Sequence, residues 1–129
     1  MKLTAVVFLC FLSAGLVSAQ LPGPGTETVH SVAHVKAGSE AEYARLSDKA
    51  WALYKRLGLV LKSPHVVLRG ADEKGRTYFI DVFTWKSPDI PDHAPEEVKA
   101  IWKQLEAACE VRDGRPGIDF SQVTAIHLD

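Results

Sequence analysis

His30 and His34 stand four residues apart in TVHSVAHVKAGSEAEYARL, just ahead of a glycine. On a helix this spacing brings two imidazoles to one metal; on a strand it does not. Val29, Val32 and Val35 are scattered among Thr, His and Ser without a helical stripe. Ala37-Gly38 breaks the segment, and Ser39 with Glu42 has the spacing of a capping box, so a helix opens after the histidines. Four residues of strand span about 13 Å, whereas one metal needs both nitrogens at roughly 2 Å. The pair is therefore not a metal clamp, and each histidine must find partners on neighbouring strands. Other candidates are Arg69 and Asp81, both in apolar runs, and His65 and His93, both close to prolines. A carboxylate between Phe79 and Phe83 is costly unless paired.

The elements that must hold these residues follow from periodicity. Tyr43, Leu46, Ala50, Leu53, Tyr54 and Leu57 recur at spacings of three and four, and Gly58 closes that helix. LVLKSPHVVLRG is a second strand region interrupted at Pro64; GADEKG is a polar turn; RTYFIDVFTW is a third strand rich in aromatic and β-branched residues. After the proline-rich KSPDIPDHAP comes a second amphipathic helix with Val98, Ile101, Trp102, Leu105, Ala108 and Cys109 on one face. RDGRPG ends it, and VTAIHLD reads as the last strand. The order β-α-β-β-α-β predicts an α+β, ferredoxin-like fold: a four-stranded antiparallel sheet with two helices on one face.

Strands send alternate residues to opposite faces. Val29, Ser31, Ala33 and Val35 suit packing under helices. The expected opposite face gathers His30 and His34, His65 and Arg69, and Phe79, Asp81, Phe83 and Trp85. Such a face is too aromatic for water and too polar for a dry core. A second copy of the chain would cover it, closing the sheets of a homodimer into an α/β barrel around a small-molecule pocket. Within it, Asp81 either pairs with Arg69 or orients His34. His93 either helps cap the second helix or stands at the pocket rim, and His65 faces solvent or pocket.

HVKAGSEAEYARL and FIDVFTWKSPDIPDHAPEEVKAIW resemble the first strand-to-helix junction and the third strand of the dimeric α/β-barrel superfamily, in particular antibiotic-biosynthesis-monooxygenase-like proteins. Trp85 and His93 fall where these proteins carry a strand-ending tryptophan and a following histidine. The resemblance implies a ferredoxin-like dimer and, among the activities found on that fold, a monooxygenase that needs no metal or flavin. In that reading His34, Asp81 and Arg69 are catalytic and His30, His65, Phe79, Phe83, Trp85 and His93 line the pocket. A non-catalytic exported binding protein is the alternative. Haem is a variant of either, since five histidines supply candidate axial ligands.

The remaining features bound location and partners. Met1-Lys2, an apolar run and Val17-Ser18-Ala19 form a secretory signal peptide over residues 1–19. Residues 20–27 read as a flexible linker and 28–129 as the domain, which would be exported to a periplasm or medium without a membrane anchor. The net charge of −1 gives no electrostatic case for nucleic acid. Cys109 is the only cysteine after the signal, so no internal disulfide is expected. No glycine-rich phosphate loop or paired-cysteine metal motif is present.

Overall fold

The computed structural model describes residues 22–129; the signal-peptide expectation lies outside the described residues. The element order is β1 Glu27–His34, α1 Glu40–Arg56, β2 Val60–Ala71, β3 Thr77–Trp85, a short 3-10 turn Pro91–His93, α2 Glu96–Ala107 and β4 Ile118–Val123. The strands form one antiparallel sheet in the order β2-β3-β1-β4. This is the ferredoxin-like arrangement expected from the sequence. Among these residues no helix is long and apolar enough to cross a membrane.

Both helices bury the stripe that their spacing predicts. Tyr43, Leu46, Ala50 and Tyr54 of α1 and Val98, Ile101 and Leu105 of α2 pack on Val29, Ala33, Phe79, Phe83 and Trp85 of the sheet. Ser39 caps α1 as expected, but its side chain makes no cap bond; its carbonyl accepts from Tyr43 N–H at 2.8 Å. Leu57 closes the helix, and Gly58 follows with φ of 68°, a conformation that favours glycine.

The faces of β3 are the reverse of those expected. Registered partners in an antiparallel ladder project to the same side. Val29, Ser31 and Ala33 are registered with Phe83, Asp81 and Phe79, so Asp81 and the aromatics lie under the helices. His30, Val32 and His34 are registered with Val82, Ile80 and Tyr78 and occupy the other face. Both alternating sets of β3 are apolar, so alternation alone could not choose between them. Complementary volume chooses: Ala33 is small, and the ring of Phe79 registered opposite it fills the layer beneath the helices.

Two strand boundaries also differ from the sequence reading. β2 runs through Pro64, with Leu61–Pro64 bulging opposite Thr84, so that Val60 and His65 register with Trp85 and Phe83 in turn. The last strand is Ile118–Val123, ahead of VTAIHLD. The turn chemistry of RDGRPG explains the shift. Asp113 and Gly114 both have positive φ between the mutually bonded Arg112 and Arg115, forming a tight two-residue reversal that starts the strand early.

Candidate active site

A cavity of about 240 Å³ opens between the sheet and the two helices. Its floor is Val29 and Ser31 of β1 with Asp81, Phe83 and Trp85 of β3. Tyr43, Ser47, Ala50, Trp51 and Tyr54 descend from α1 at the spacing of one helical face; Trp102 and Leu105 come from α2. Ser31 and Ala50 are too small to fill the layer at their positions, which leaves room for a ligand.

The walls are aromatic and interlocked. Phe83 meets Trp85 edge-on at 4.8 Å between centroids, and Tyr54 contacts Trp85 at 5.0 Å and Phe83 at 5.8 Å. Trp102 Nε1–H donates to the Tyr54 hydroxyl at 2.5 Å, tying α2 to α1 across the cavity roof. Burial pushes the Tyr54 phenol up to about 12 and raises that of Tyr43 as well, so both remain protonated hydrogen-bond donors at neutral pH.

Asp81 is the one carboxylate in the central strand. Its Oδ1 is buried and has no hydrogen-bond partner. His65 Nε2 lies 3.3 Å from that oxygen, within ion-pair reach but out of line for a hydrogen bond. The β2 bulge brings His65 inward, and Trp51 stacks on its ring at 3.7 Å and 17°. Burial pushes the Asp81 carboxyl up to about 6. The histidine moves the other way, lowered by burial and then by the nearby Lys55 ammonium. Loss of solvent disfavours the charged form of each, which brings their proton affinities together. At 3.3 Å the imidazole stands within reach of a proton held by the carboxyl, the juxtaposition that general acid–base work requires.

The other expected site residues are dispersed. Asp81, Phe83 and Trp85 line the cavity, whereas Phe79 is buried against Tyr43 at 5.0 Å outside the lining. Arg69 is exposed, with its guanidinium 5.8 Å from the Phe79 ring; it registers with Phe79, two residues from Asp81, and does not pair with it. His34 lies on the opposite face from Asp81, where its Nδ1–H donates to the Pro116 carbonyl at 2.9 Å, so it cannot be oriented by that carboxylate. His30 shares that far face. His93 is exposed and makes no side-chain cap for α2; Pro91 of the same turn reaches the cavity in its place. The single cavity gathering His30, His34, Arg69 and Asp81 is thus corrected: His65 is the histidine beside Asp81. Tyr54 and Ser31, expected only to pack between helix and sheet, are also lining residues. Tyr43, Ser47, Trp51 and Tyr54 recurring on one face of α1 was the available signal. Among the described residues no group of three or more His, Cys, Asp or Glu could hold a metal ion.

Fold and cavity together define a ferredoxin-like α+β protein with a ligand-sized chamber under its helices, and its fold is similar to that of solved structures described as cofactor-independent oxygenases and antibiotic biosynthesis monooxygenases. SnoaB, a cofactor-independent oxygenase from Streptomyces nogalater, superposes with a TM-score of 0.60 at 18% identity, covering 81% of this chain and 96% of that one. A structure described as an antibiotic biosynthesis monooxygenase gives 0.58 at 14% identity, covering 78% and 99%. A candidate antibiotic biosynthesis monooxygenase from Caulobacter crescentus CB15 gives 0.57 at 16%, covering 80% and 92%. At such identities the likeness is one of fold. No family model and no curated protein matches the sequence.

Proposed function

We propose that this protein is an exported, homodimeric oxygenase that converts a small phenolic aromatic to a quinone with dioxygen and no bound cofactor. The observation that carries the reading is Asp81, half-buried with its Oδ1 enclosed and without a hydrogen-bond partner, beside His65 in an aromatic-walled cavity. The raised proton affinity of Asp81 makes it a stronger base than an ordinary carboxylate. It takes the phenolic proton and His65 relays it outward. The resulting phenolate is electron-rich enough to reduce dioxygen. The balance is phenol plus O2 giving quinone plus water: one oxygen atom enters the ring and the other leaves as water. The rings of Phe83, Trp85 and Tyr54 hold the substrate and exclude bulk water. Fold likeness to a cofactor-independent oxygenase supports this choice among reaction classes.

Export rests on the basic, apolar and small-residue pattern of residues 1–19, and protein recovered from the periplasm or medium is expected to begin at Gln20. Dimerisation rests on the helix-free sheet face, where Val66 and Leu68 are exposed beside Val32, Ile80 and Val82. Turnover of a phenol or anthrone under 18O2 tests the chemistry. Mass spectrometry is expected to find one labelled atom in the quinone. Label confined to water or peroxide contradicts an oxygenase. A Soret band in the purified protein would redirect the reading to haem, for which the cavity lining itself offers no imidazole.

A further inference from the structure

The cavity carries charge of one sign. Among the described residues Glu27, Asp81 and Glu106 line it, and no lysine, arginine or histidine does. Composition does not explain this, because the chain has 15 Lys and Arg against 16 Asp and Glu. Two cations approach the aromatic layer and neither enters the lining: Lys55 Nζ is 5.9 Å from the Trp51 ring, and Arg69 sits over Phe79. The walls add to the same field. Aromatic faces present negative potential, and an organic cation against them is attracted by the ring quadrupole. A carboxylate on the ligand would instead meet three of its own kind, with the repulsion least screened beside half-buried Asp81.

We infer that the cavity selects an aromatic ligand bearing an ammonium group and rejects the same ring bearing a carboxylate. The ring stacks within the tryptophan and tyrosine walls, and the ammonium is drawn to the acidic lining. This names a substrate class for the site and rests on reading the cavity as the ligand site, whatever chemistry follows.

All three tryptophans of the chain, Trp51, Trp85 and Trp102, line the cavity, so their fluorescence reports its occupancy. The test titrates the protein at neutral pH with three molecules of one shape: tyramine, 4-ethylphenol and 3-(4-hydroxyphenyl)propionate. Tyramine is expected to bind at least about tenfold more tightly than the neutral phenol, with the propionate weakest. The preference should shrink in Glu27→Gln/Glu106→Gln, at a half-buried and an exposed position whose circular dichroism is checked against the parent, and in Asp81→Asn. Equal or tighter binding of the propionate, a preference unchanged in all variants, or no quenching by any of the three overturns the inference. Oxygen uptake measured in parallel separates the two readings. Tight tyramine binding without uptake removes the oxygenase and leaves this selectivity; equal uptake on all three molecules removes the selectivity and leaves the oxygenase.

Discussion

Asp81 is held at a cost. Its folded value of about 6 stands above its ordinary 3.8 because burial disfavours the carboxylate. Between those values the folded chain holds a proton that the unfolded chain has released, so stability falls as pH rises through the window and the penalty is complete above it. Asp81→Asn is therefore expected to stabilise the protein at pH 7–8 by on the order of 1–3 kcal/mol while abolishing turnover. Thermal melts should show the gain vanish towards pH 4; a variant less stable than the parent at neutral pH contradicts the account. Turnover of the parent should fall as pH drops through about 6, where the base takes up its proton. The need for a partner at Asp81 was legible in the sequence, from a carboxylate between two phenylalanines. The partner was not: His65 reaches it through a bulge, and bulges shift register without a residue signature strong enough to place them.

At the scale of elements, the residue that joins β1, β3 and the segment after α2 is Arg112. Its side chain is buried, and its guanidinium donates to the Thr77 carbonyl at 2.7 Å, the Val35 carbonyl at 2.9 Å and Glu110 Oε1 at 2.9 Å. Arg112→Met strips partners from two main-chain carbonyls and is expected to cost about 2–4 kcal/mol. Arg112→Lys should recover only part of this, since one ammonium cannot reproduce the planar fork. Urea unfolding measures both; a loss below about 0.5 kcal/mol for the methionine variant removes Arg112 from this role. Helices and strand order were legible because the stripes of α1 and α2 are strongly periodic. The faces of β3 were not, because Tyr78, Ile80 and Val82 are as apolar as the set that is buried. Arg112 was hidden in a segment whose glycines and proline read only as a helix stop.

For the whole molecule, the helix-free face combines Val66, Leu68, Ile80 and Val82 with Val32, His30 and His34. A two-fold pairing of these faces would cover apolar surface that a monomer leaves wet. Light scattering is expected to give about twice the chain mass, and Leu68→Glu is expected to give a folded monomer with unchanged circular dichroism. A parent that stays monomeric at high micromolar concentration contradicts the dimer. That the sheet has a face without helices was legible from sequence, although the residues assigned to it were partly those of the cavity. The chamber lies within one chain, under its own helices, so the face proposed for dimerisation and the cavity lie on opposite sides of the same sheet.

The proposed chemistry belongs to the helix-covered side of that sheet and not to the other. Oxygen uptake with a phenolic substrate, compared across Asp81→Asn, His65→Ala, His30→Ala and His34→Ala, decides it. Asp81→Asn and His65→Ala are predicted to lose about 100-fold or more at unchanged fold, while His30→Ala and His34→Ala keep activity within about threefold of the parent. Loss in the His34 variant with full activity in Asp81→Asn would contradict the assignment of the site.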